Sequence, residues 1–237
     1  MENEENDDEH LTESELGTKA YWEDFYQAEL ENFVDSGDQG ETWFGRRNTN
    51  MIIQWIADNV PKEASICDVG CGNGYILSQL ATRHSFLNLL GIDYSPKAID
   101  FCRQLYKSTA PAIQFKVVDI LSSSDSSSSS SFPACDVLVD KGTYDAIALM
   151  PDGDLAANRR LYRSFVLNHL TENGHLVIMS CNFTRGELCR FLLLQLPSPA
   201  GDLTLVHEFA TPKLSFGGKV GSQVTGLVLK KSQENKE

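Results

Sequence analysis

Several features that would define other classes of protein are missing from this sequence. It has no apolar run long enough to span a lipid bilayer, and its N-terminus lacks the basic and apolar segments of a signal peptide. It has no lysine- and arginine-rich run that would follow a phosphate backbone. We therefore expect a monomeric cytoplasmic protein, with the nucleus as a second location, that binds neither membrane nor nucleic acid.

Paired metal ligands and hydrolase signatures are missing as well. The six cysteines include no Cys-x-x-Cys pair, and the five histidines are scattered without the spacing of a metal site. No nucleophile elbow or catalytic triad signature is present. The sequence therefore predicts reduced cysteines, most of them packed in the core, and no metal centre.

Basic residues are also absent from the first fifteen positions, where eight residues are acidic. The whole chain has 237 residues and a formal net charge of -13. We expect residues 1–17 to form an acidic disordered tail, which either attracts a basic partner or simply keeps the protein in solution. The remainder is long enough for one core, so we predict one domain over residues 18–231 and a short tail over 232–237.

One stretch of the chain predicts a buried strand, a tight loop and the start of a helix. An apolar run ends in Asp68 and is followed by alternating glycines at 70, 72 and 74, after which apolar residues resume at helical spacing. Glycines let the backbone approach a ligand, and the first N–H groups of the helix are available to polar atoms. Tyr75 stands where a dinucleotide motif has its third glycine, which disfavours a nicotinamide cofactor.

Acidic residues follow three further predicted strands. Asp93, Asp119 and Asp140 end or follow apolar runs that begin near residues 88, 115 and 136. Because the carboxyl ends of parallel strands meet at one edge of a sheet, we expect these acids to converge with Asp68. A carboxylate at position 93 is suited to accept both hydroxyls of a ribose, since Ser95 already supplies the cap of the next helix. Four acids placed in this way indicate a cofactor crevice.

The remaining segments complete an alternating pattern of helices and strands. Residues 18–60 are predicted to form an N-terminal helical arm, with a helix at 50–59, that either covers the cofactor as a lid or packs as ordinary structure. Residues 122–131, almost all serine, are expected to be a mobile surface insertion without chemistry. Later elements are predicted at 155–170 (helix), 175–179 (strand), 184–196 (capped helix), and 203–209 and 223–229 (strands of a hairpin).

Several blocks of the sequence occur together in a known family. They are Trp43-Phe44-Gly45, Asp68-x-Gly70-x-Gly72-Asn73-Gly74, Gly91-Ile92-Asp93-Tyr94-Ser95, Asp140-Lys141-Gly142-Thr143-Tyr144-Asp145, Ser180-Cys181-Asn182, and Thr211-Pro212-Lys213 with Ser215-Phe216-Gly217-Gly218. From about Gly17 to the C-terminus the chain resembles the elongation factor 1-alpha lysine methyltransferase family, the methyltransferase-like 10 group. It departs from that family in the acidic tail, the serine-rich insertion, Cys71 and Arg46-Arg47.

The resemblance implies a class I S-adenosylmethionine (SAM) methyltransferase that acts on a lysine of elongation factor 1-alpha. The implied fold is a Rossmann-like α/β fold with a seven-stranded, mostly parallel sheet, helices on both faces and a C-terminal antiparallel hairpin. The implied SAM contacts are Trp43, Asp68, Gly70, Cys71, Gly72, Gly74, Asp93, Tyr94, Asp119, Ile120 and Asp140. On the substrate side, the assigned groups are Asp140 and Tyr144, followed by Asn182.

Three alternatives remain open from the sequence. A small-molecule methyltransferase would share the same SAM-binding half, and a non-catalytic SAM-binding subunit would use the acidic tail to recruit a partner. A nicotinamide oxidoreductase is disfavoured by the glycine spacing. Lys141 and Asp145 also have a purely structural interpretation, in which they pair with each other or with neighbours at the surface.

Overall fold

The structure is a computed structural model that describes residues 12–122, 133–151, 154–193, 200–211, 213–216, 219–222 and 224–232. Residues 1–11 of the predicted tail, almost all of the serine-rich insertion and residues 233–237 lie outside the described residues. The helices are α1 (Lys19–Ser36), α2 (Gly45–Asn59), α3 (Tyr75–His84), α4 (Pro96–Tyr106), α5 (Thr143–Ala148), α6 (Leu155–His169) and α7 (Arg185–Leu193). The strands are β1 (Ser65–Val69), β2 (Asn88–Asp93), β3 (Gln114–Val117), β4 (Cys135–Lys141), β5 (Leu170–Ser180), β6 (Asp202–Glu208), β7 (Lys213–Phe216), β8 (Lys219–Ser222) and β9 (Thr225–Ser232).

Seven of these strands form one mixed sheet in the order β3-β2-β1-β4-β5-β9-β6. The first five lie parallel, whereas β9 runs antiparallel to both β5 and β6. This arrangement confirms the predicted seven-stranded, mostly parallel sheet with an antiparallel hairpin at its C-terminal end. The strand order reverses between β1 and β4, and this is the switch point where open α/β sheets bind ligands.

Helices cover both faces of the sheet, as predicted. Val137 and Val139 of β4 pack in a core with residues of α2, α3 and α4, whereas Leu138 packs in a second core with residues of α5, α6 and α7. Alternate residues of a strand point to opposite faces, so these two cores are the two faces of one sheet. No helix in the described ranges has the length and apolar character of a membrane span.

The N-terminal arm packs on α4 through an aromatic cluster. The Thr18 side chain accepts a hydrogen bond from the Tyr21 N–H at the start of α1, and Gly37 ends the helix in the left-handed conformation. Tyr26 of α1 is buried with Ala98 and Phe101 of α4. The helix predicted in this part of the arm is therefore confirmed.

Residues 12–17 differ from the predicted disordered tail. Ser14 caps a short 3-10 helix, Glu15–Gly17, and the N–H of Ser14 donates to the carbonyl of Leu149 over 3.1 Å. Gly17 is buried, and a Cβ added there would lie 2.2 Å from that same carbonyl oxygen. The acidic composition of this segment did not predict the close backbone contact. Because of this contact, the folded domain begins before residue 18.

Several element boundaries also differ from those predicted. Helix α2 begins at Gly45 rather than at residue 50, and β3 ends at Val117, which leaves Asp119 in the following loop. Strand β5 begins at Leu170, which pairs with Cys135 of β4, rather than at residue 175. Asn173, at φ +65°, lies inside the strand where its register with β4 shifts. Helix α5 and the small β7-β8 hairpin were not predicted.

Candidate active site

The glycine loop after β1 has the conformation that its spacing predicts. Gly70, Gly72 and Gly74 have φ values of +65°, +54° and +66°, in the left-handed region that glycine adopts without strain. A Cβ added at Gly70 would lie 2.0 Å from the hydroxyl oxygen of Thr143, and that hydroxyl donates to the carbonyl of Val69 over 2.6 Å. The loop is therefore held against the start of α5, and a side chain at position 70 would break this contact.

A cavity of about 340 Å³ opens over this loop at the carboxyl ends of the parallel strands. This volume is in the range of small-molecule sites, roughly 300–1,000 Å³. Ten residues assigned to the site from the sequence line it: Trp43, Asp68, Gly70, Cys71, Gly72, Asp93, Tyr94, Asp119, Ile120 and Asn182. Among the described residues, no three His, Cys, Asp or Glu side chains are grouped as a metal site requires.

Asp93 is fixed by the backbone of its own neighbours. Its carboxylate accepts hydrogen bonds from the N–H groups of Gly72, over 3.1 Å, and Ser95, over 3.0 Å. Burial raises the pKa of Asp93 to about 6, and these two hydrogen bonds oppose that increase. An ionised carboxylate has about four lone-pair positions, so Asp93 can still accept from a bound diol.

The loop after β3 forms the next part of the cavity wall. The carboxylate of Asp119 accepts a hydrogen bond from the N–H of Leu121 over 3.0 Å, and the side chain is exposed. The N–H of Val118 donates to the carbonyl of Asp93 over 2.9 Å, which holds the loop beside β2. Asp119 and Ile120 thus reach the cavity from a loop rather than from a strand end.

Asp68 and Lys141 are two residues of opposite charge in the cavity wall. Burial raises the pKa of Asp68 to about 7, and the positive charge of Lys141 opposes this increase. Burial lowers the pKa of Lys141, and the carboxylates of Asp68 and Asp140 oppose that decrease. The Lys141 Nζ atom lies 5.5 Å from the centre of the Phe44 ring, within cation–π range. Lys141 is thus a cavity residue that does not pair with Asp145.

Three residues assigned from the sequence do not line the cavity. The Asp140 side chain is fully buried and accepts hydrogen bonds from the Tyr162 hydroxyl, over 2.6 Å, and from the N–H groups of Thr143 and Tyr144. Tyr144 packs in the core against Tyr162. Gly74 faces the side chains of α4 and β3. Asp140, Tyr144 and Gly74 therefore lie behind the cavity wall in this structure, while the other assigned residues form part of it.

Asp145 is a cavity residue that the sequence analysis did not assign to the site. It is 4% exposed, and its carboxylate accepts hydrogen bonds from the Ser180 hydroxyl and from the N–H of Cys181, the latter over 2.8 Å. Asn182 lies beside it in the wall, with a buried Nδ2 atom that has no hydrogen-bond partner among the described residues. The signal available in the sequence was the position of Asp145 at the end of the Asp140–Asp145 block that carries the family resemblance.

The N-terminal arm closes the remaining side of the cavity. Leu16, Gly17 and Trp22 line it together with Trp43, whose ring centre lies 5.3 Å from that of Trp22. The Nε1 atom of Trp43 is buried and has no hydrogen-bond partner in the described part of the chain. The hydroxyl of Tyr94 donates to the carbonyl of Thr18 over 3.3 Å, which ties the arm to the end of β2. Residues of the arm and of the segment just before it therefore form part of the cavity wall.

Comparison of this chain with known proteins identifies its family. A family model described as a methyltransferase domain matches residues 61–210. EEF1A lysine methyltransferase 2 of Mus musculus is 40% identical over 220 residues, which cover 92% of this chain and 84% of the mouse protein. The Danio rerio protein of the same name is 38% identical over 226 residues, covering 94% and 91% of the two chains.

A solved structure with the same fold is the N-methyltransferase NodS from Bradyrhizobium japonicum, crystallised with S-adenosyl-L-homocysteine. Its TM-score is 0.57 at 18% identity, and the match covers 88% of this chain and 100% of NodS. At this identity the match shows a shared fold, whereas the relatives above share most of their length and more than a third of their residues. This chain therefore belongs to the methyltransferase family that includes the EEF1A lysine methyltransferase 2 proteins.

Proposed function

We propose that this protein is a SAM-dependent protein-lysine N-methyltransferase whose substrate is elongation factor 1-alpha. The observation that supports this most strongly is the similarity of 38–40% over nearly the whole length of proteins that are named for this activity. The cavity at the switch point of the sheet supplies the site that the activity needs. A small-molecule methyltransferase or a non-catalytic subunit has no comparable support.

The cavity fits SAM in three respects. The glycine loop leaves backbone free for the methionine end, Asp93 has lone pairs for the ribose hydroxyls, and the loop of Asp119 and Ile120 lies beyond it for the adenine. Trp43 offers a buried N–H donor without a partner among the described residues. The five acidic residues of the wall outnumber its two basic ones, which favours a ligand that carries a positive charge. The acidic residues are Glu41, Asp68, Asp93, Asp119 and Asp145, and the basic ones are Lys19 and Lys141.

The residues of this chain have two tasks in the proposed reaction. SAM supplies a methyl group that its sulfonium already activates, so the protein needs to align the lysine nitrogen and keep it neutral. An unperturbed lysine has a pKa of ~10.4, and its deprotonation at pH 7 costs roughly 4 to 5 kcal/mol. The N-terminal arm excludes water from the cavity, and a carboxylate in the wall can accept the proton.

We further propose that the protein acts as a monomer in the cytoplasm, on a protein rather than on nucleic acid or a membrane. The net charge of -13 supports the part of this proposal that concerns nucleic acid, since a strongly acidic protein is repelled by a phosphate backbone. Gel filtration with light scattering tests the oligomeric state.

The decisive experiment is transfer of labelled SAM into an extract of cells that lack this protein. The wild-type chain is compared with Asp93→Ala, which removes the ribose carboxylate, and with Asp100→Ala, which removes an exposed carboxylate from α4. We expect methyl-lysine in one protein of the size of elongation factor 1-alpha with the wild type and with Asp100→Ala. Label in small molecules alone, or no transfer despite SAM binding, would overturn the proposed function.

A further inference from the structure

The strand order divides the cavity into two sides. Strands β2 and β3 lie on one side of β1 and lead to Asp93 and to the loop of Asp119, where the proposed function puts the ribose and adenine. Strands β4 and β5 lie on the other side and lead to Lys141 and to the segment of Cys181 and Asn182. The second side is therefore the one left for the group that receives the methyl.

Asp145 is the buried acid of that second side. It extends from α5 and lines the cavity at 4% exposure. The Ser180 hydroxyl donates to one carboxylate oxygen, and the N–H and the thiol of Cys181 donate to the other. These three donors fix the direction of the carboxylate and leave one of its roughly four lone-pair positions for another donor. The carboxylate is therefore oriented before any ligand binds.

No cation in the described part of the chain balances this carboxylate. No lysine, arginine or histidine there lies within 4.0 Å of it. The titratable groups around it are Asp140 of β4, Tyr162 of α6 and Cys181 after β5, none of which carries a positive charge. A buried carboxylate without a cation is costly, so a positively charged ligand group would be stabilised here.

We propose that Asp145 receives the ammonium group of the substrate lysine and takes its proton before methyl transfer. This inference rests on the proposed function. One N–H bond of the ammonium breaks, its proton passes to an Asp145 carboxylate oxygen, and the electron pair stays on nitrogen. That pair then forms the bond to the methyl carbon while the electrons of the methyl–sulfur bond remain on sulfur, and the proton on Asp145 leaves to water.

The electrostatics of the position favour proton acceptance. Burial raises the pKa of the Asp145 carboxyl above its ordinary value of 3.8, and the hydrogen bonds from Ser180 and Cys181 oppose this increase. A general base works best when its pKa approaches the working pH, so the raised value makes proton transfer from lysine less unfavourable. The Asp140 carboxylate is less accessible to a ligand, because Tyr162 and two backbone N–H groups already donate hydrogen bonds to it.

The test compares Asp145→Asn and Asp145→Glu with wild type on unmethylated elongation factor 1-alpha. SAM affinity is measured by calorimetry, and kcat/KM is measured from pH 7 towards the lysine pKa of ~10.4. Asp100→Asn, the same change at an exposed position of α4, is the matched control.

For Asp145→Asn we expect unchanged SAM affinity and a loss of about 100-fold in kcat/KM at pH 7, the lower end of general-base effects. The loss should shrink as the pH rises, because the lysine then loses its proton to water. Asp145→Glu should recover part of the activity.

Three outcomes would overturn the inference. The first is turnover of Asp145→Asn close to that of wild type at pH 7. The second is a loss of kcat/KM in Asp145→Asn that is equal at every pH. The third is an Asp145→Glu variant that is no more active than Asp145→Asn. If Asp145→Asn fails to fold or bind SAM, the Asp145→Glu comparison with wild type across the pH range decides, since a carboxylate that takes the proton should preserve the wild-type profile. Failure of the wild-type chain to form methyl-lysine would instead refute the proposed function.

Discussion

The contact between Gly70 and Thr143 gives the sharpest test of how the cofactor loop is held. Gly70 has a φ of +65°, and a Cβ there would lie 2.0 Å from the Thr143 hydroxyl and 3.1 Å from the Thr143 Cβ. Gly70→Ala would therefore force the threonine side chain away from the carbonyl of Val69, to which it donates over 2.6 Å. The substitution combines backbone strain with the loss of a hydrogen bond.

The expected loss in the free energy of unfolding is the sum of those two effects. An alanine in the left-handed conformation costs roughly 1–2 kcal/mol. Loss of the Thr143 hydrogen bond to a part-buried carbonyl adds about 1–2 kcal/mol, so Gly70→Ala should lower the free energy of unfolding by ~2–4 kcal/mol. Thr143→Ala alone should cost about 1–2 kcal/mol by losing the same hydrogen bond. The double variant should cost no more than Gly70→Ala alone, because the bond is lost once.

A double-mutant cycle measured by urea denaturation checks this. We expect a coupling free energy of about 1–2 kcal/mol between the two positions, well above the ~0.5 kcal/mol scatter of independent sites. SAM calorimetry on the same four proteins should show the weakest binding for the two variants that contain Gly70→Ala. Additive losses, or a Gly70→Ala variant as stable as wild type, would refute the steric argument.

Three further outcomes follow from the site and the arm. Asp93→Asn should weaken SAM binding by roughly tenfold or more, as loss of a charged hydrogen-bond acceptor does, and calorimetry against wild type measures this. Burial raises the pKa of Asp68 and Asp140 from 3.8 to about 7, so between these values the folded protein binds more protons than the unfolded chain. Stability is therefore lost as the pH rises, and the melting temperature of the ligand-free protein should be lower near about pH 8 than near about pH 5. A rising melting temperature would contradict the assigned shifts. Thr18→Ala should cost about 1 kcal/mol in urea denaturation because it removes the cap on the Tyr21 N–H, and an unchanged midpoint would count against that cap.

Most of the fold could be predicted because the sequence repeats one simple pattern. Short apolar runs that end in an acid or a glycine marked β1, β2 and β4, and Ser95 followed by proline marked the start of α4. The boundary of β5 could not be predicted in this way, since Asn173-Gly174 is typical of a helix end but here forms an irregularity inside the strand. Turn residues give a local conformation and do not identify the elements on either side.

The predicted position of Asp140 shows why strand-end acids are not equivalent. Side chains of a strand alternate between its faces, so Asp140 shares a face with Leu138 and points to Tyr162, whereas Lys141 shares a face with Val139. Counting this alternation along β4 would have directed attention to Lys141 as the cavity residue. The places of Leu16, Gly17 and Trp22 in the cavity wall could not be predicted in this way, because they depend on packing between residues far apart in the sequence.

The block from Asp140 to Asp145, which gave the most specific family signal, connects three parts of the site. Thr143 fixes the glycine loop, Gly142 lies against the Phe44 ring of the arm, and Asp145 accepts hydrogen bonds from the end of β5. Substitutions in this block will therefore disturb cofactor binding, closure by the arm and the substrate side in different proportions. Loss of activity alone cannot identify a catalytic residue here, and SAM affinity, unfolding free energy and the pH profile need to be measured for each variant.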